Sequence, residues 1–114
     1  MDFHRDWRGD TERTQLICGL AAYAFRVTPE DVNATTRGSR QTALARQTAM
    51  YLAHVACGMS LARVAAAFSR DRSTVAHACH RIEDQRDDET FDVWIGQLED
   101  SVRAAPIPIR EAQA

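Results

Sequence analysis

Residues 68–82 constrain the fold more than any other part of this sequence. The stretch contains three successive polar residues, Ser69, Arg70 and Asp71, and continues with apolar residues that recur at helical spacing. Aspartate is a preferred residue at the N-cap of a helix. We therefore predict a turn followed by a helix over about residues 72–84, with the side chain of Asp71 as its cap.

The predicted helix has two different faces. Its inward stripe is apolar and consists of Val75, Ala78, Cys79 and Ile82. Its outward stripe is polar and consists of Thr74, His77 and Arg81. A second helical pattern, over residues 61–68, comes directly before the turn and has Ser60 at its N-cap position. Two short helices joined by a few residues, the second polar at its start, are typical of a helix-turn-helix.

The N-terminal third of the chain predicts two more helices. Asp10 or Thr11 is a candidate cap for the first, and Thr28 followed by Pro29 is a start signal for a second, short helix. The apolar residues of the first helix follow helical spacing and should face the core: Leu16, Ile17, Leu20, Ala21, Ala24 and Phe25.

Two longer helices complete the prediction, over residues 41–56 and 90–104. The fold class is therefore all-α, with five to six helices around the helix-turn-helix. We expect a mobile leader at residues 1–10, a single helix-turn-helix DNA-binding domain at residues 11–104 and a disordered tail at residues 105–114.

Charge is unevenly distributed along the chain, although the net charge is only −2. Residues 1–35 carry −2, residues 36–81 carry +6 and residues 82–114 carry −6, with histidine taken as neutral. A clustered positive field attracts phosphate whatever the overall charge of the protein. The middle third therefore predicts a nucleic-acid-binding surface. Its cations are arginines, which suit bidentate contacts to phosphate or guanine.

Several classes of protein are disfavoured by the sequence. No run is long and apolar enough for a transmembrane helix, and the polar residues 1–10 do not resemble a signal peptide. We therefore expect a cytoplasmic protein without a membrane partner. No nucleophile–base pair, carboxylate pair or metal-ligand spacing stands out, so we expect neither an enzyme nor a cofactor.

The three cysteines, Cys18, Cys57 and Cys79, are an odd number at wide spacings in apolar contexts. We interpret them as reduced thiols in the core of a cytosolic protein. A zinc site built from Cys57, Cys79, His77 and His80 is the alternative, although no CxxC or HxxxH spacing accompanies these residues.

Three ordered motifs in the chain resemble one known family. Residues 46–52, 60–68 and 70–78 resemble, in that order, three parts of the C-terminal DNA-binding domain of DnaA, the bacterial chromosomal replication initiator. These parts are the start of its long helix, its first helix-turn-helix element and its recognition segment. The resemblance extends over about residues 12–103. It implies the fold of that domain and binding to double-stranded DNA.

The resemblance also implies roles for individual residues. Base edges in the major groove would be contacted by Asp71, Arg72 and Ser73, and the adjacent minor groove by Arg37 or Arg40. Phosphates would be held by Arg46, Ser60, Arg70, Thr74, His77 and Arg81. Such contacts are favoured at a helix N-terminus, because its free N–H groups and positive dipole end attract anions.

Simpler roles are the alternatives for some polar residues of the helix-turn-helix. Asp71 would then act as an N-cap alone, and Thr74 would pair with that cap. Arg63 would be a solvated charge on the first helix of the motif. His80 would be solvated or would pack against a neighbouring helix.

The sequence departs from the family at the recognition segment. Arg72 occupies a position where the family usually has histidine, and the turn after Phe68 is one residue shorter than usual. A guanidinium in place of an imidazole would shift the base preference toward guanine. No GxxxxGK[ST] phosphate loop occurs in the 114 residues, so we expect a stand-alone DNA reader that binds no nucleotide.

Two functions are compatible with these observations. The first is sequence-specific binding to double-stranded DNA, which would regulate replication initiation or transcription by occupying initiator-box-like sites on the nucleoid. The alternative is a protein-interaction module that keeps the fold of the domain and binds a protein partner through its acidic C-terminal region.

Overall fold

The structure is a computed structural model and describes residues 7–106. The parts of the predicted leader and tail at residues 1–6 and 107–114 lie outside the described residues. Six α-helices and no strand are found in the described part. They are α1 (Trp7–Phe25), α2 (Pro29–Asn33), α3 (Arg40–Val55), α4 (Leu61–Phe68), α5 (Arg72–Gln85) and α6 (Glu89–Ala104). The all-α prediction is confirmed, and α4 and α5 form the helix-turn-helix. No helix between residues 7 and 106 is long and apolar enough to cross a bilayer.

Helix α3 lies at the centre of the fold and contacts each of the other five helices. It can do so because small side chains recur along it: Ala45, Ala49 and Ala53 are fully buried and let the neighbouring helices approach closely. The larger side chains of Tyr51 and Leu52 fill the space between α3 and its partners. The helix-turn-helix therefore packs against a central helix that is mostly buried.

Helix α1 begins earlier than the sequence predicted. Its first residue is Trp7, so Asp10 and Thr11 lie inside the helix and the prediction that one of them caps it is wrong. The expected boundary at residue 10 therefore falls within α1. Ile17 is fully buried as predicted, but Leu16 is 45% exposed and does not face the core.

Side-chain caps begin four of the six helices. The hydroxyl of Thr28 accepts from the N–H of Asp31 at the start of α2, and that of Ser60 accepts from the N–H of Arg63 at the start of α4. Both caps were predicted. Helices α3 and α6 are capped in the same way, by Ser39 and Asp88.

Helix α5 is different. Asp71 occupies its N-cap position, but the side chain of Asp71 makes no capping hydrogen bond, so the prediction of a side-chain cap is wrong.

The turn between α4 and α5 is tight. Ser69 adopts the left-handed conformation, with φ of 53° and ψ of 47°, and ends α4. The following N–H, from Arg70, donates to the carbonyl of Ala65 over 3.0 Å. Three residues are thus enough to reverse the chain, and α5 starts at Arg72, as predicted.

Two groups of polar side-chain contacts link helices that are distant in sequence. Arg63 on α4 pairs with Asp10 on α1 through two bonds, of 2.9 and 2.5 Å. It is therefore not the solvated charge that the sequence suggested. At the other end of the molecule, Arg86 donates to the hydroxyl of Tyr51 over 3.0 Å and to Glu99 over 2.9 Å, which joins α3 to α6.

Replacement of Ser69 by glycine should stabilise the protein by about 1 kcal/mol, because glycine adopts the left-handed conformation without the steric cost of a Cβ. Gly58 also has positive φ, 69°, and a Cβ built there meets no atom within 4 Å. Gly58→Ala should therefore lower stability by about 1 kcal/mol for conformational reasons alone. Urea unfolding followed by circular dichroism measures both changes. A loss of stability in Ser69→Gly would contradict the strain assigned to this turn.

Candidate nucleic-acid interface

The N-terminus of α5 is an exposed polar end of the helix-turn-helix. Asp71, Arg72 and Ser73 are all exposed and stand next to one another at the first positions of the helix. Because Asp71 makes no capping bond, both its carboxylate and the first N–H groups of α5 face outward without a partner in the helix. The three residues predicted to contact bases are thus brought together at one accessible point.

A cleft opens beside this helix, between α5, α3 and the segment that joins α2 to α3. Its volume is about 250 Å³. Five of the residues that line it were predicted from the sequence as DNA contacts, namely Arg37, Arg46, Arg70, Thr74 and His77. Among the described residues, no aspartate or glutamate lines the cleft, so its lining is positively charged. A phosphate group would meet donors from three parts of the fold there.

Arg46 plays a different part from the one predicted. Its side chain is buried, with 6% of its surface exposed, and reaches the end of α2 and the loop that follows it. Nε donates to the carbonyl of Val32 over 2.8 Å, and Nη2 donates to those of Asp31 over 2.8 Å and Thr36 over 3.1 Å. Nη1 donates to the carbonyl of Arg37 over 3.2 Å. The prediction that Arg46 contacts phosphate is therefore corrected: its nitrogens hold the loop.

The surroundings of Arg46 are electrostatically unfavourable to its charge. Burial lowers the pKa of Arg46, and the nearby charges of Arg70 and Arg37 lower that pKa further. Three guanidinium groups thus lie near one another around the cleft. An anion in the cleft would relieve this repulsion, as a DNA phosphate does.

Arg70 is also only partly available. Its Nη2 donates to the carbonyl of Ala34 over 2.7 Å, and its Nη1 lies 3.4 Å from the carbonyl of Phe68. The side chain therefore bridges the turn before α5 and the loop before α3, and it is half-buried at the edge of the cleft.

The loop between α2 and α3 presents the other predicted base contacts. Arg37 is exposed and lines the cleft. Arg40 is also exposed, and as the first residue of α3 it follows the cap at Ser39. Gly38 lies between the two arginines with φ of 72°, which turns the chain sharply at this point.

The two other predicted phosphate contacts, Ser60 and Arg81, are not among the residues that line the cleft. Ser60 is exposed at the start of α4, where its hydroxyl is already engaged as the cap. Arg81 is exposed one turn beyond His77 on α5. His80, by contrast, lines a separate groove together with Cys79 and faces away from the cleft.

Gln47 is a cleft residue that the sequence reasoning missed. Its Oε1 atom is buried and has no hydrogen-bond partner among the described residues, and its side chain lines the cleft next to Met50 and Thr74. Its place directly after Arg46 in the long-helix motif was the available signal. An amide can present either its oxygen or its nitrogen, so Gln47 is equipped to donate to a phosphate.

The cysteines are free thiols in this structure, and Cys18 is buried whereas Cys57 and Cys79 are half-buried. Burial raises the pKa of Cys18 and that of Cys79 to about 11, and it raises the pKa of Cys57 as well. Within residues 7–106 no group of three or more histidine, cysteine or acidic side chains is placed to hold a metal ion. His77 and the pair Cys79 and His80 face different grooves, which does not favour the zinc alternative.

Comparison with known proteins identifies a family that this chain matches. Residues 14–82 match the family described as the helix-turn-helix of the bacterial dnaA protein. The chain belongs to the DnaA helix-turn-helix family. Every interface residue described above lies within the matched part. The resemblance of the three sequence motifs is thereby confirmed.

Individual DnaA proteins give the same assignment. The chain is 36% identical over 91 residues to chromosomal replication initiator protein DnaA 1 of Protochlamydia amoebophila, a match over 79% of this chain and 20% of that protein. It is 38% identical over 87 residues to DnaA of Aquifex aeolicus, over 75% of this chain and 21% of that protein. The chain thus spans about a fifth of the length of these curated relatives.

Solved structures of the DnaA type share the fold. A crystal structure of a DNA replication initiation factor superposes with a TM-score of 0.78 at 32% identity, over 88% of this chain and 31% of that one. The replication initiator DnaA bound to AMPPCP and single-stranded DNA superposes with a TM-score of 0.75 at 31% identity, over 88% and 30% of the two chains. The similarity therefore extends over most of this chain.

Replacement of Arg46 by alanine should lower the free energy of unfolding by about 2–4 kcal/mol, since it removes a charged donor from several buried or half-buried carbonyls at once. Arg81→Ala removes the same charge from an exposed position and should change stability by no more than about 0.5 kcal/mol. Denaturant titration of both variants measures the difference. Equal stability of the two variants would show that Arg46 does not hold the loop.

Proposed function

We propose that this chain binds double-stranded DNA in a sequence-specific way, and that it regulates replication initiation or transcription by occupying initiator-box-like sites. The observation that carries the proposal is the convergence, on one surface, of the uncapped α5 N-terminus with the arginine-lined cleft. The family assignment supports DNA binding related to replication initiation. No carboxylate other than that of Asp71 stands among the proposed contacts, so the surface attracts phosphate.

In this proposal the N-terminus of α5 enters the major groove. Asp71, Arg72 and Ser73 reach base edges there, because a helix that points its first turn into the groove places those side chains deepest. Arg72 is the specificity residue that distinguishes this chain, and its guanidinium favours guanine, whose O6 and N7 accept a bidentate contact.

The residues around the cleft bind the backbone of the DNA. Thr74, His77 and Gln47 would donate to phosphates at the cleft, with Ser60 and Arg81 on either side. The loop places Arg37 or Arg40 in the adjacent minor groove. Helix α5 has 14 residues and is about 21 Å long, so its acidic far end and α6 lie away from the DNA.

A binding measurement tests the specificity and the phosphate contacts separately. Fluorescence anisotropy on a duplex with an initiator box should give tighter binding than on a scrambled duplex at near-physiological salt. The logarithm of affinity should fall linearly with the logarithm of salt concentration, because each neutralised phosphate releases counterions. Equal affinity for both duplexes would remove the claim of specificity. A slope near zero would remove the claim of phosphate binding.

Arg72→Ala should cost about 1–3 kcal/mol on the initiator-box duplex and relax the preference at one base pair. Arg81→Ala is the matched control and should weaken binding to both duplexes alike, with a salt slope smaller by about one. The same anisotropy titrations measure both effects. An unchanged ratio of specific to scrambled affinity in Arg72→Ala would show that Arg72 does not read a base.

The protein-interaction alternative has one observation in its favour, which is the net charge of −6 over residues 82–114. Part of that charge is used inside the molecule, because Arg86 pairs with Asp92 and Glu99. A pull-down from nuclease-treated lysate distinguishes the two functions. A stoichiometric protein partner together with no DNA binding by the pure protein would favour the alternative.

A further inference from the structure

The loop before α3 depends on side chains for its shape. Between α2 and α3, the carbonyls of Thr36 and Arg37 accept from Arg46, and the carbonyl of Ala34 accepts from Arg70. The loop is thus held from two directions, by α3 below it and by the turn before α5 beside it.

Arg46 and Arg70 stabilise different parts of this region. Arg46 belongs to α3, which directly follows the loop, so it shapes the loop itself. Arg70 is 36 residues away from Ala34 in sequence and stands two residues before the start of α5, so its 2.7 Å bond joins the loop to the recognition helix. The second contact of Arg70, to the carbonyl of Phe68, keeps its guanidinium over the turn.

We infer that Arg70 is a positioning residue that fixes the loop carrying Arg37 against the N-terminus of α5, and so sets the spacing between the minor-groove and major-groove contacts. The inference rests on the proposed function and deepens it. It gives Arg70 a role through Arg37 and Arg72, in addition to the phosphate contact expected from the sequence.

The electrostatics of the cleft favour such a bond. The nearby charges of Arg70 and Arg37 lower the pKa of Arg46, and the charge of Asp31 offsets part of this repulsion. The carbonyl of Ala34 opposes the repulsion, since it accepts from a charged donor and such bonds are stronger than neutral ones.

Hydrogen exchange on the free protein tests the link without DNA. In Arg70→Met, the amide of Ala34, which donates to the carbonyl of Asp31 over 3.2 Å, should exchange about ten-fold faster or more, since a bond from a charged donor shifts an opening equilibrium by at least that factor. The core amides of α5 should keep their rates, which shows that the variant is folded. Arg81→Met is the matched control, since it removes the same charge from α5 and should leave the loop unchanged. Equal loop exchange in all three proteins would overturn the inference.

A double-mutant cycle tests whether Arg70 acts through Arg37. If Arg70 positions Arg37, the fold-loss of DNA affinity caused by Arg37→Ala should be at least about three-fold smaller in the Arg70→Met background, because residues that act together are not additive. In the Arg81→Met background, the loss should be the same as in the wild type to within about two-fold. Additive losses for Arg70 and Arg37 would overturn the positioning role and leave Arg70 a phosphate contact alone.

The two measurements separate the inference from the proposed function. If the wild-type protein binds neither duplex, the proposed function fails and the assigned spacing of DNA contacts falls with it, while hydrogen exchange still shows whether Arg70 holds the loop. If the wild type binds and the loop exchange is unchanged in Arg70→Met, only the positioning role fails.

Discussion

The buried guanidinium of Arg46 is the interaction on which the interface depends. A charge out of water is costly unless donors and acceptors match, and here the acceptors are carbonyls at the end of α2 and in the loop that follows it. The match forces that loop to fold back over α3. Because α3 also contacts α5, the loop is brought next to the recognition helix and the cleft is formed between them. Arg46 thus helps to fix the loop on which the exposed Arg37 stands.

The fold places most basic and acidic residues of the second half of the chain in different regions. Three arginines of the middle third line the cleft, namely Arg37, Arg46 and Arg70, whereas the acidic residues between positions 83 and 100 lie at the end of α5, in the connector after it and on α6. Arg86 neutralises part of that acidity within the protein through Asp92 and Glu99. Burial by itself would lower the pKa of Arg86, but hydrogen bonds to Asp92, Glu99 and Tyr51 outweigh it and raise the pKa above its ordinary value.

Much of the fold was predictable, because local signals agree with the tertiary structure at most helix ends. Thr28 with Pro29 and Ser60 begin the helices that they were expected to begin, and the three-residue turn reverses the chain where the polar residues indicated. The exposed position of Asp71, Arg72 and Ser73 at the start of α5 was predictable for the same reason, since the three residues are adjacent in sequence. Errors occurred where a distant residue changes the outcome: Asp10 looked like a cap but pairs with Arg63, which lies 53 residues away.

The sequence by itself determined the helix-turn-helix, its polar first turn and the concentration of arginine around it, because these features depend on spacing within a few residues. Only the tertiary structure decided which arginines are available to a ligand. Arg46, Arg63 and Arg70 resemble Arg37 and Arg72 in the sequence, yet the first is buried under loop carbonyls, the second pairs with an acid and the third bridges two segments. A guanidinium engages whatever acceptor the fold brings within reach, and that acceptor is set by packing between helices and not by neighbouring residues.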